Sequence, residues 1–154
     1  MDNAVVTTTT DGPAPDPVIS AKSFCLVTVM RTGTGSMLQS AEAAGYVRGR
    51  IHSLDPSLDG VVWWGHTHMP ESHLDRVLAS GLTLVTTLRN PLDVIATWER
   101  RGKGMHKLRK EYDVWMSRVL PSALVIPLSG GGLTELNEAT GAVFPALERT
   151  IHPR

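Results

Sequence analysis

The chain has 154 residues, 42% of them hydrophobic and 19% charged, and its fifteen Lys and Arg balance fifteen Asp and Glu. That length and composition fit one globular domain with a real core, and the zero net charge leaves no overall field to draw in nucleic acid or anionic lipid. A single cysteine, Cys25, excludes an intramolecular disulfide and agrees with a reducing, cytoplasmic setting. No segment reaches the ~20 apolar residues of a membrane span, and the N-terminus lacks the basic start and apolar core of a secretory signal.

Residues 1–22 carry a threonine run and Pro13, Pro15 and Pro17, and read as a disordered arm. The ordered part, 23–154, is expected to form a single α/β domain. It opens with a strand, Phe24 to Met30, in which Cys25 reads as a buried structural thiol. A helix follows, with Met37, Leu38, Ala41 and Ala44 as its stripe and Gly45 as its C-terminal stop. The polar stretch Arg48 to Gly60, broken by Pro56, reads as a connecting loop. Val61 to His68 reads as a strand ending at Pro70, then a helix runs from Glu71 to Ser80. Leu82 to Leu88 is rich in β-branched residues and predicts a strand. Asn90, Pro91 and Asp93 give the next helix a clean start, and its end falls near Arg101 or Gly102. Lys103 to Lys110 reads as a basic linker, Glu111 to Leu120 as a helix, and Ala123 to Leu128 as a strand. After Gly130-Gly131-Gly132 a weak helix is expected over Leu133 to Ala139. Strands alternating with helices imply a central parallel sheet flanked by helices, with ligands beyond the strands' carboxyl ends.

Three chemically unusual segments fall at those ends. Arg31-Thr32-Gly33-Thr34-Gly35-Ser36 joins a strand to a helix start, where backbone N–H groups and the helix's positive end can face an anion. The ATP-binding version of such a loop ends in Gly-Lys-Ser/Thr, whereas here an arginine stands at the front. In Arg89-Asn90-Pro91-Leu92-Asp93-Val94-Ile95-Ala96-Thr97, Arg89 leaves a strand just as a helix begins, and Thr97 lies two turns along from Asn90 on the same face. A surface ion pair for Arg89 and simple packing for Thr97 weigh about equally. In Gly65-His66-Thr67-His68-Met69-Pro70, alternation puts both histidines on one side. A general base, metal ligation with His73, Glu71 or Asp75, and structural histidines all remain open. None of the strands ends in the Asp or Glu that would hold the Mg²⁺ of ATP chemistry. A site rich in arginine and histidine suits a less charged transferred group, such as sulfuryl.

This set resembles the sulfotransferases that use 3′-phosphoadenosine 5′-phosphosulfate (PAPS). Arg31 to Ser36 resembles their 5′-phosphosulfate loop, and His66-Thr67-His68-Met69-Pro70 is similar to their Lys-Thr-His-Leu-Pro segment. Arg89 to Thr97 resembles their Arg-Asn-Pro-Lys-Asp-Val…Ser segment over nine positions. The resemblance implies a three-layer P-loop-type fold and transfer of a sulfuryl group from PAPS to a hydroxyl or amine on a small-molecule acceptor. It implies His68 as catalytic base, and Arg31 stabilising charge on the leaving group. Arg31, Thr32, Gly33, Thr34, Gly35 and Ser36 would hold the 5′ end, and Arg89 and Thr97 the 3′-phosphate. No metal, nucleic-acid or membrane partner is expected. The sequence departs from the family at His66, where the family has lysine, and at Ser36, where cytosolic members often carry tryptophan. It also lacks the C-terminal Arg-Lys-Gly…Gly-Asp-Trp-Lys segment, and a homodimer is one way to complete the pocket. Trp63, Trp64, Trp98 and Trp115 read as core rather than acceptor pocket. Two alternatives stand beside transfer: a sulfotransferase-like nucleotide-binding protein without catalysis, and a small ATP-dependent P-loop kinase.

Overall fold

Runs of apolar and β-branched residues set the strands in a computed structural model that describes residues 21–128, 133–145 and 147. The five strands are β1 (Phe24–Thr28), β2 (Val47–Arg50), β3 (Val61–His66), β4 (Thr83–Leu88) and β5 (Leu124–Pro127). They form one parallel sheet in the order β2-β3-β1-β4-β5. β1 is central and buried along its whole length, which is why its sequence is nearly all apolar instead of alternating. Its register aligns Phe24 with Val62 on one side and Thr83 on the other, and brings Thr28 beside His66.

Alternation along β1 divides the core into two layers. Phe24 and Leu26 pack with Met37, Leu38 and Ala41 of α1 (Thr34–Ala43) and Leu136 of α5 (Leu133–Thr140). Cys25 and Val27 pack with Leu74 and Val77 of α2 (Glu71–Ala79), Val94 and Trp98 of α3 (Pro91–Arg100), and Leu108 of α4 (Met105–Val114). The architecture is α/β, a parallel sheet flanked by helices. Trp98 is 2% exposed, and its indole N–H donates to the Met30 carbonyl at 3.4 Å. It therefore fastens α3 to the end of β1. Truncation to alanine would cost about 3–5 kcal/mol in lost packing.

The structure corrects two expected loops. Arg48 to Gly60 holds the last three residues of β2 and a single 3₁₀ turn, Ile51–Ser53. Val47 and Gly49 are half-buried while Arg48 and Arg50 are exposed, the alternation of a short edge strand. Gly49 is needed there, because a Cβ would sit 2.6 Å from the Trp63 ring. The basic linker is the second correction, since α4 already begins at Met105. Its lysines and arginines form the solvated face, with Leu108 and Glu111 buried beneath. The helix then widens into π geometry over Trp115–Val119 and closes with a 3₁₀ turn, Leu120–Ser122. β3 stops at His66, so His68 lies in the turn that follows. The expected arm, except for its last two residues, and Gly130 to Gly132 lie outside the described residues. Among the described residues no helix is long and apolar enough to cross a membrane.

The connections position the site. From β1 the chain crosses to β2 on one side of the sheet, and from β4 it moves to β5 on the other. The carboxyl ends of β1 and β4 therefore flank the switch point, where an open parallel sheet leaves a crevice.

Candidate functional site

The loop after β1 departs from regular backbone at two residues. Arg31 has φ 68° and Gly33 has φ 103°. At Gly33 glycine is required twice over, by that left-handed angle and because a Cβ would run into the Leu128 side chain. Gly33 is also the N-cap of α1, where no side chain caps the helix and no acidic residue occupies the first turn. The positive end of α1 thus has no counter-charge of its own. Gly35 is different: it is exposed, and a Cβ there would meet nothing within 4 Å. Its smallness leaves open space over the helix start.

The loop hydroxyls at 32 and 34 turn inward. Thr32 Oγ1 donates to the Val29 carbonyl at 2.6 Å and lies 3.0 Å from Thr87 Oγ1. Thr34 Oγ1 lies 2.7 Å from Thr28 Oγ1. These two residues pin the turn to β1 and β4, and leave backbone N–H groups as what they can offer a ligand.

The structure brings Arg31 and Arg89 together. Arg89 Nη1 donates to the Arg31 carbonyl at 2.8 Å, across the gap between β1 and β4. Arg31 Nε is buried without a hydrogen-bond partner among the described residues. Burial pulls the Arg31 pKa below its ordinary value, and the nearby Arg101 charge adds to the effect. Among the described residues, Arg31, Arg89 and Arg101 make no ion pair with a carboxylate. Thr97 is not joined to this group by any hydrogen bond among the described residues. It donates to the Asp93 carbonyl at 2.9 Å within α3 and accepts from Arg100 Nη2 at 3.3 Å. It stands roughly 9 Å along the helix from Pro91. Asn90 is the expected cap, its side chain accepting from the Leu92 N–H at 2.9 Å.

The two histidines have different surroundings. His66 is half-buried, with Nδ1 3.1 Å from Thr28 Oγ1. Burial, aided by His68, Arg50 and Arg31, lowers its pKa to about 4. It is neutral at pH 7 and supplies no cation where the resembled family has lysine. His68 stacks on it, with ring centroids 5.6 Å apart and planes at 28°, but its side chain is 59% exposed. Of the two, His68 is the ring an acceptor can reach. Glu71 and Asp75 both pair with Arg118, at 3.4 and 2.6 Å, on the exposed surface. Among the described residues no three His, Cys, Asp or Glu side chains gather into a metal-binding group. Cys25 is fully buried and its thiol is pushed up to about 12, chiefly by burial.

Three neighbours of the site escaped the sequence reading. Glu111 is buried, and its Oε1 accepts from Thr67 Oγ1 at 3.0 Å and the Met30 N–H at 3.3 Å, with His68 Nδ1 4.0 Å away. Tyr112 Oη is buried without a partner among the described residues, and burial raises its pKa against the lowering influence of Arg89. The Arg101 charge helps to lower the Arg31 pKa. Nothing in local sequence marks these residues, since their roles arise only when α4 and the end of α3 dock behind the loops. Comparison with family models, curated proteins and solved structures gives no match.

Proposed function

We propose that the chain is a sulfotransferase, moving a sulfuryl group from PAPS to a hydroxyl or amine acceptor on a P-loop-type scaffold. One observation carries this reading. Arg89 Nη1 is bonded to the Arg31 carbonyl beside the uncapped start of α1, and among the described residues neither arginine, nor Arg101, makes an ion pair with a carboxylate. Guanidinium groups without a carboxylate partner among the described residues are free to take an incoming anion. Doubly phosphorylated adenosine supplies anions at two positions, and the guanidinium fork suits phosphate oxygens. Arg31 Nε is a buried donor with no hydrogen-bond partner among the described residues.

In the proposed reaction the acceptor oxygen or nitrogen forms a bond to sulfur as the bond from sulfur to the 5′-phosphate oxygen breaks. The bonding pair stays on that oxygen, giving 3′-phosphoadenosine 5′-phosphate, and Arg31 with the helix start stabilises the charge it gains. His68, neutral, takes the proton the acceptor loses and later yields it to water. Backbone N–H groups of residues 31–36 hold the 5′ end. Arg89 holds the 3′-phosphate, with Thr97 and its neighbour Arg100 further along α3.

A single-turnover assay with sulfur-labelled PAPS and a panel of phenols, alcohols and amines tests this. Label should pass to an acceptor, and His68→Ala should lower the rate about 10²–10⁴-fold with nucleotide affinity nearly intact. Tight nucleotide binding with no transfer across the panel would leave a binding protein instead.

A further inference from the structure

Glu111 is a buried carboxylate for which the proposed reaction has no use, and its surroundings are specific. Its side chain is 6% exposed and belongs to α4, yet Oε1 touches the two turns that frame the site. One contact is the Met30 N–H, immediately before the Arg31 loop; the other is Thr67 Oγ1, immediately before His68. His68 Nδ1 stands 4.0 Å from the same oxygen, on a ring exposed enough to rotate the remaining distance. A carboxylate is expensive to bury, and two donors from neighbouring turns fix it in place.

We infer that Glu111 is a positioning residue for His68. Its carboxylate accepts the His68 Nδ1–H, which holds the neutral ring as the Nδ1–H tautomer and leaves the Nε2 lone pair facing solvent. An unconstrained neutral imidazole in water favours the opposite tautomer, and the hydrogen bond made by one ring nitrogen decides the state of the other. When Nε2 takes a proton, the same carboxylate balances the imidazolium charge in a site crowded with guanidinium groups. The tautomer is inferred from the proximity of His68 to Glu111 and does not depend on the sulfuryl-transfer reading; its consequence for turnover does.

Long-range ¹H–¹⁵N NMR of the full chain at about pH 8.5, where imidazoles are ordinarily neutral, tests the inference. His68 is assigned by the signals that vanish in His68→Gln. The wild-type protein should show the Nδ1–H pattern. Glu111→Gln should return it to Nε2–H, because the amide oxygen still accepts from Met30 and Thr67 but no longer offers a charged acceptor. A wild-type ring in the Nε2–H form, or the same pattern in both proteins, overturns the inference. A wild-type Nε2–H ring overturns it even if the variant does not fold. In the labelled-PAPS assay, Glu111→Gln should lower kcat by about tenfold or more, within the 10²–10⁴-fold available to a general base. It should leave KM for PAPS almost unchanged, and it should have no further effect in a His68→Ala background. If the wild type transfers no label, sulfuryl transfer fails as the function while the tautomer result still judges Glu111.

Discussion

His66→Asn tests the electrostatics of the site without any ligand. In the folded chain His66 holds its proton only below about 4, against an ordinary 6.5. The unfolded chain takes that proton near the ordinary value, so between those limits the unfolded state binds more protons. Stability from this residue is therefore complete above about pH 6.5 and is lost as pH falls toward 4. The drop from 6.5 to about 4, at about 1.4 kcal/mol per tenfold change in proton affinity, sets a ceiling of about 3.5 kcal/mol. The ring is only half-buried, so solvent screening brings the expected size to about 1–2 kcal/mol. Burial is the main cause, and the groups facing the ring are His68, Arg50 and Arg31. Asparagine keeps a polar atom near Thr28 but removes the titration. Urea unfolding at steps from pH 4.5 to 7.5 should show wild-type stability climbing relative to the variant by that amount. Parallel profiles would mean that His66 titrates alike in both states, and burial of its ring as the dominant influence would be refuted.

Arg89→Ala should weaken 3′-phosphoadenosine 5′-phosphate binding by about 1.5–3 kcal/mol. Adenosine 5′-phosphate, lacking the 3′ group, should lose under about 1 kcal/mol, from release of the Arg31 carbonyl that Arg89 fastens. Equal losses in calorimetry would contradict the assignment. Gly33→Ala should destabilise by about 2–4 kcal/mol, combining left-handed strain with overpacking against Leu128. Gly35→Ala, with open space around it, should instead be neutral or gain up to about 1 kcal/mol of helix stability. If Gly35 leaves room for the donor, that substitution should still lower nucleotide affinity, as thermal melts paired with titration would show.

Four of the five strands were legible because each is a run of apolar and β-branched residues long enough to stand out. β2 was not, since Val47-Arg48-Gly49-Arg50 offers one strong apolar residue and takes its strand form from pairing with β3. The start of α4 was hidden by charge: Lys107, Arg109 and Lys110 read as linker, although Leu108 supplies the buried side once α3 is beside it. At the site, Arg31 and Arg89 could be singled out because each sits where a strand hands over to a helix, and the parallel sheet brings those junctions together. The difference between His66 and His68 could not be read from alternation, because β3 ends between them and only one ring is drawn down beside Thr28. Glu111 was invisible for a plainer reason. One carboxylate in a basic helix says nothing until the fold presses it against Met30 and Thr67.

Whether the paired arginines and the open helix start serve a 3′-phosphorylated nucleotide is decided most directly by calorimetric titration. The full chain is titrated with 3′-phosphoadenosine 5′-phosphate and, separately, with ATP and magnesium. The desulfated nucleotide should bind at least about tenfold more tightly, a difference of about 1.4 kcal/mol. Tighter, magnesium-dependent binding of ATP, or no binding of either nucleotide, would contradict the assignment.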